Sequence, residues 1–475
     1  MNTSRRHFLK AAASLSSLGG VVGSQFSAPF AMTLAGVGAL AGEKAGAATV
    51  DGGYKALVCL FLQGGNDSHN WIVPTDPAGY ADYVRARREL ALSYTSLRAA
   101  NSTLQGAGRS FGMPAELAPL HKWYQAGKAA VVSNVGTLVV PTTKADFDAG
   151  NNLPPKLFSH NDQQSLWQSM SPEGAKSGWG GRMGDILMSA NQYPVFTAIS
   201  ATGNVAFLAG DQISQFQVGS EGPISIRGLG SGSMFGSSQT ANILRRSIES
   251  AGTNALETEY LKTVQRSIAH DNTLKSALAS SSAVPQPSGE VTLSSGRTVS
   301  IATDSLAKQL RVVAQLMGSA RSLGMRRQVF MVSIPGFDTH SNQLPQAAIL
   351  MSRVAQSIDY FLTTVSAMGM LNNVTLFTAS DFGRTLTTNG AGSDHGWGSH
   401  HFVAGGAVKG GEIYGRFPSL ALGSSDDVGS GRLLPSTSVA EYAAVMGGWM
   451  GLNANELATV LPGLTNFNRS NLSFL

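Results

Sequence analysis

The sequence predicts an α/β fold built around parallel strands, and three observations carry that expectation. Leu57–Leu62 is continuously apolar, as strands covered on both faces are, and Gln328–Ile334 and Val374–Phe377 have the length and composition of buried strands. A long helical stretch from Pro345 to Met368 separates the last two, so the chain reads strand–helix–strand at the spacing of a parallel crossover. Each run then empties into a loop that carries an aspartate, and open α/β sheets hold their ligands at the carboxyl ends of their strands.

Taken in order, the chain opens on Ser4-Arg5-Arg6-His7-Phe8-Leu9-Lys10, followed by an uncharged Ala/Gly/Ser-rich segment and Ala45-Gly46-Ala47. Paired arginines, a mildly apolar run and small residues at a cleavage site make residues 1–47 a twin-arginine signal peptide. The expectations are passage through the twin-arginine export machinery and a periplasmic or extracellular address. That pathway carries proteins already folded, which suits a cofactor loaded in the cytoplasm. The 475 residues have a formal charge of +5, of which +3 falls in this leader. No Lys/Arg run or basic-aromatic patch remains, so nucleic acid is excluded as a partner. Cys59, the one cysteine, lies inside the first apolar run and reads as a small buried hydrophobe. That leaves no thiol nucleophile and no cysteine-based metal site.

The first strand ends in Gln63-Gly64-Gly65-Asn66-Asp67-Ser68-His69, where two glycines allow a sharp turn and set Asp67 at the strand's end. Residues 79–106 are polar and read as surface. A short helix near Glu116–Ala126 leads to a second strand, Ala129–Val135. Ser159 then reads as a helix N-cap, and a hydroxyl at a helix N-terminus is also where a nucleophile feels a positive field. Arg182, in the Gly-rich turn Ser177–Arg182, is placed to meet an anion. Residues of about 200–325 look like an insertion, Gly/Ser-rich and then helical, with a further helix starting near Thr303 or Asp304. The strand Gln328–Ile334 ends in Gly336-Phe337-Asp338-Thr339-His340; Asp338 and His340, two apart, share one side of an extended segment and can face one ion. The strand Val374–Phe377 leads to Ser380-Asp381-Phe382-Gly383-Arg384, then to Asp394-His395 and a short strand at Phe402–Ala404. Three aspartates, Asp67, Asp338 and Asp381, are thus expected at one sheet edge with His340 and His395 beside them. Carboxylates gathered so closely repel one another, and a bound cation relieves the conflict.

These motifs carry a resemblance. GGNDSHN, LFSHNDQQ, GWGGR, GFDTHSNQ, SDFGRT and DHGWGSHHFVAGGAVKGG, together with the leader, resemble the domain of unknown function 1501 family from about Tyr54 to Phe467. That family is similar to the alkaline phosphatase and sulfatase superfamily, an α/β/α sandwich with a two-metal hydrolytic site. The resemblance implies one alkaline phosphatase-like domain over residues 48–475. It also implies metal-ligand roles for Asp67, Asp338, His340, Asp381 and His395, and it sets Ser159 where the superfamily keeps its nucleophile. Phe382 stands where superfamily members usually have a histidine, and no Cys-x-Pro-x-Arg motif is present.

The expected function is an exported hydrolase of phosphate or sulfate esters that uses one or two divalent ions. Zinc suits Asp/His ligation; Mg, Mn or Ca suits an all-carboxylate half. Ser159 or a water is the nucleophile, with Ser68 as the alternative, and Arg182 or Arg384 steadies the anionic ester. The rival expectation is a non-catalytic exported binding or assembly protein on a degenerate hydrolase fold. Members of the resembled family are often encoded beside a second family of unknown function, numbered 1800, which is the partner that reading would favour.

Overall fold

The computed structural model describes residues 52–226, 228–229, 232–250, 252–293, 295–468 and 472–475. The expected signal peptide, residues 1–47, lies outside the described residues. Ten strands form the central sheet: β1 (Lys55–Gln63), β2 (Ala129–Gly136), β3 (Ala198–Ser200), β4 (Phe216–Gly219), β5 (Gly222–Pro223), β6 (Arg327–Pro335), β7 (Val374–Ser380), β8 (Ser399–Gly405), β9 (Ile413–Tyr414) and β10 (Thr437–Ser438). Their order is β9-β2-β8-β7-β1-β6-β3-β4-β5, with β10 paired to β2. β1 pairs parallel with both β6 and β7, so the three strands read from the sequence lie side by side. β8 runs antiparallel to β7 and β2, and the short β5 antiparallel to β4.

The pleat of β1 shows why the apolar runs are unbroken. Ala56, Val58, Leu60 and Leu62 face one core, shared with helices Ser305–Gly318 and Gln343–Ala367. Leu57, Cys59 and Phe61 face the other, shared with helices Trp179–Leu187 and Val439–Met450. Each side chain of this size contributes about 1.5–3 kcal/mol on full burial, and alternation sends that gain to both layers. The result is an α/β/α sandwich. Asp304 starts the helix Ser305–Gly318 by accepting from the amides of Leu306 and Ala307, so this helix belongs to the sandwich although it falls in the stretch read as an insertion. The helical part of that stretch includes two further helices, Ser238–Glu249 and Ala255–Ala279. Among the described residues no helix is long and apolar enough to cross a membrane.

One expectation needs correction. The segment 79–106, read as surface, contributes Tyr83, Arg87, Leu90 and Ala100 to the interior. Arg87 closes the helix Pro77–Arg87 and is wholly buried because a partner for its charge waits inside the sheet edge.

Candidate metal centre

The carboxyl ends of β7, β1 and β6 form the floor of the site. Gly64 turns the chain there at φ +115°, and a Cβ on it would lie 2.4 Å from the amide nitrogen of Asp338. Only glycine lets the two strand ends approach this closely. Ser380 fastens the third strand: its hydroxyl donates to the Leu62 carbonyl (2.6 Å) and accepts from the Asn66 amide (2.9 Å).

Asp338, just beyond β6, is the centre of the arrangement. Its carboxylate lies 3.1 Å from His340 Nε2, 3.3 Å from His395 Nε2 and 3.6 Å from His160 Nε2. The Nε2 atoms of His340 and His395 are 3.0 Å apart. Ligand atoms of His160, Asp338 and His395 all fall within 4.8 Å of one another. His160 is the first residue of helix His160–Ser169, with Ser159 as its N-cap.

The partners of the far ring nitrogens fix the tautomers. His395 Nδ1 is 2.7 Å from the Phe158 carbonyl, His160 Nδ1 is 2.7 Å from Asp381 Oδ2, and His340 Nδ1 is 3.2 Å from Asp394 Oδ1. Carbonyl and carboxylate oxygens only accept, so each Nδ1 carries a proton, and each Nε2, turned toward Asp338, is the nitrogen left to ligate an ion. Lone pairs 3.0 Å apart beside a carboxylate repel unless positive charge stands among them. Imidazoles held through Nδ1 by oxygens, with Nε2 turned to a shared point, are the usual arrangement around zinc. The residues present therefore fit a divalent cation held by His160, Asp338 and His395, with His340 beside them.

The electrostatics agree. The hydrogen bond to Asp381 raises the pKa of His160 despite its partial burial, so this ring attracts positive charge. Burial lowers that of His395, helped by the charges of Arg384 and His160 against the pull of the Phe158 carbonyl and Asp338, and leaves its lone pair free at neutral pH. Burial raises the Asp338 carboxyl, but the Arg384 hydrogen bond and charge, with His340 and His160, outweigh it and hold the group below its usual range.

The structure brings Asp338, His340 and His395 together and distributes the other expected site residues differently. Asp381 is wholly buried and accepts from His160, from the Gly64 amide (3.1 Å) and from Gln164 Nε2 (2.9 Å); it holds a ligand in place and has no face toward the cation. Asp67 is paired with buried Arg87 and with Gln343, outside the cluster. Arg384 is wholly buried and donates to Asp338 (2.6 Å), the Gly64 carbonyl (3.3 Å) and the Ser393 carbonyl, while its Nε finds no partner. Arg182 spends its guanidinium on the carbonyls of Val460, Ser177 and Ser169, where it ties the helix Trp179–Leu187 to neighbouring loops. Ser68 is fully buried with its hydroxyl accepting from the His400 amide, so the alternative nucleophile is sealed off. Ser159 is half-buried and donates to Asp162 Oδ2 at 2.9 Å. Sequence reasoning missed His160 and Gln164. Their signal was an i, i+4 pair, on one helix face, directly after the serine that was singled out.

No curated protein matches the chain. Solved structures with a similar fold include a 4S-sulf protein of a Bacteroides thetaiotaomicron locus for metabolism of multiple glycosaminoglycans, 9% identical with a TM-score of 0.33 over 85% of this chain and 74% of that one. Two more are Ps i-CgsB in complex with a neocarrahexaose (10% identical, TM-score 0.34, 88% and 78% covered) and a mutant of the alkaline phosphatase PafA (9% identical, TM-score 0.29, 70% and 64% covered). These likenesses concern fold alone. The family described as Protein of unknown function (DUF1501) matches residues 54–461, and by that match the chain belongs to it.

Proposed function

We propose that the protein is an exported, metal-dependent hydrolase of phosphate or sulfate esters. The observation that carries this reading is the convergence of three imidazole lone pairs and one carboxylate at the carboxyl end of a parallel sheet. A divalent ion bound there, with zinc the best match to the donor set, supplies Lewis acidity to an ester oxygen. Ser159 is the nucleophile of this reading. It lies between Phe158, whose carbonyl holds His395, and His160, so its place in the chain adjoins two residues that support the cluster. Phe158 adopts φ +73°, a conformation rare for a large side chain and common where backbone strain serves a site. As Ser159 Oγ bonds to phosphorus or sulfur, its proton passes to Asp162 Oδ2 and the bond from phosphorus or sulfur to the alcohol oxygen breaks; the alcohol leaves with the proton, and water then hydrolyses the Ser159 ester to restore the hydroxyl. His160, His340 and His395 stay fixed throughout, each by its Nδ1 proton.

Asp338→Ala tests the reading: the purified mature protein should lose both its bound metal and its hydrolysis of an aryl phosphate or sulfate. Retained activity would remove the mechanism. Ser159→Ala should keep the metal and lose the activity. Twin-arginine export belongs to the same proposal, whereas a partner from the 1800 family belongs to the non-catalytic reading. A pull-down from periplasm that recovers a stoichiometric partner, with no hydrolysis by the wild type, favours the non-catalytic reading. The observation on that side is Arg384, which already neutralises Asp338.

A further inference from the structure

We infer that the centre is built for a single divalent cation, and that the buried guanidinium of Arg87 supplies the charge a second ion would bring. This inference rests on the metal reading above and sharpens it. Three adjacent parallel strands end at Asp67, Asp338 and Asp381, and three carboxylates at one sheet edge demand counter-charge. Two of them receive it from within the protein. Arg87 Nη2 contacts Asp67 Oδ2, with side chains 0% and 4% exposed, and Gln343 donates to the same oxygen. Arg87 Nη1 is further directed toward the carbonyls of Thr385 (3.3 Å) and Leu386 (3.5 Å), so the guanidinium is fixed from two sides. Arg384 neutralises Asp338 in the same way from a wholly buried position.

The count of charges then decides the number of ions. Asp67, Asp338 and Asp381 against two guanidiniums leave one negative charge at the strand ends, and Asp394 stands apart against His340. One divalent ion reverses that to one positive charge, a balance an anionic ester can complete. Two divalent ions would leave three positive charges, with guanidiniums already bonded to the carboxylates meant to hold them. Geometry agrees with charge. A second ion could reach Asp67 only through Oδ1, against Arg87 on its other oxygen. Asp381 has both oxygens committed to Gly64, His160 and Gln164. On the remaining side the Phe382 ring, 1% exposed, lies 4.9 Å from the His160 ring and 4.6 Å from that of His395, an apolar group where another ligand would have to stand. Arg87 is thus a positioning residue for charge, and Asp67 its partner instead of a metal ligand.

The test is a count of metal per folded chain. The mature protein is incubated with excess Zn(II), desalted and analysed by mass spectrometry of its metal content; a parallel Mn(II)-loaded sample is read by electron paramagnetic resonance. One equivalent of zinc and the spectrum of magnetically isolated manganese are expected. Two equivalents, or an exchange-coupled manganese pair, would overturn the inference while sparing the metal reading. Zero equivalents would overturn both, so the two failures are told apart. The double variant Asp67→Asn/Arg87→Met removes the ion pair without leaving a lone charge and should still bind one equivalent. Loss of the ion from folded double variant would place Asp67 among the ligands and refute the assignment.

Discussion

Asp381→Asn is the most searching perturbation of this site, because it changes one atom and leaves the shape alone. Asp381 sits fully buried with three donors on it: the Gly64 amide on Oδ1, and His160 Nδ1 and Gln164 Nε2 on Oδ2. An asparagine offers one acceptor oxygen and one NH2 group. Gly64 cannot reverse its N–H, so the oxygen goes to Gly64 and the NH2 turns toward His160 and Gln164. Gln164 can flip its amide; His160 can only move its proton from Nδ1 to Nε2. That proton then points at Asp338, where the lone pair had been, and one metal ligand is lost. Disturbing the group that orients a histidine ligand costs about 10–100-fold in metal affinity, or roughly 1.4–2.7 kcal/mol. Competition against a calibrated chelator measures the affinity, and long-range proton–nitrogen NMR of the histidine rings reads the tautomer. Gln164→Ala, which removes one donor and spares the carboxylate, should cost less than tenfold. An Asp381→Asn protein that binds zinc within twofold of the wild type, with the His160 tautomer unchanged, would refute the reasoning.

The remaining predictions concern stability. Arg87→Ala leaves Asp67 charged and buried without its cation, which costs about 3–5 kcal/mol; for a chain of this size that lowers Tm by roughly 3–6 °C, and a calorimetric shift under 1 °C would show that the pair matters little. Acid should weaken the fold through buried imidazoles. Burial lowers His69 to about 4, the Arg87 charge adding to it and Asp67 and the Arg384 carbonyl opposing, and burial lowers His401 to about 3. Between those values and the ordinary ~6.5 the unfolded chain binds protons that the folded chain refuses, so stability is complete above about pH 6.5 and falls as pH drops toward 4, by on the order of 3 kcal/mol per imidazole. Urea unfolding followed from pH 7 to 4.5 gives the slope, and His401→Gln should reduce it by close to one proton; an unaltered slope would remove His401 from the account.

Much of this was legible in the chain itself, and the particular residues explain why. The strands could be read because a strand covered on both faces has no polar side, as Leu57 to Leu62 show. Asp338 and His340 could be read because they closely follow a strand whose direction the helix Gln343–Ala367 fixes, and His395 because it lies in the connection beyond the next strand. What could not be read was the partner of each charge. Asp67, Asp338 and Asp381 look alike in sequence, yet one meets an arginine from another segment, one faces the imidazoles and one holds a ring from behind. Arg87 lies in a stretch whose composition says surface, and only the third dimension puts it beside Asp67. Arg182 and Arg384 show the same limit: sequence reports a guanidinium, while the folded chain decides how many carbonyls consume it. His160 was hidden by its neighbour, since a serine at a helix start drew the attention that belonged one residue on.

That the donors come from three separate stretches of chain has a consequence for kinetics. His160 opens a helix far upstream of Asp338, and His395 arrives 57 residues after it. Before the sheet has assembled, these side chains are strangers with no common address, so an unfolded polypeptide grips an ion no better than loose imidazole would. An ion held here is consequently a lock on the finished architecture. It can leave only when the rim that gathers the three stretches breathes open, which makes the rate of its escape a clock for that motion.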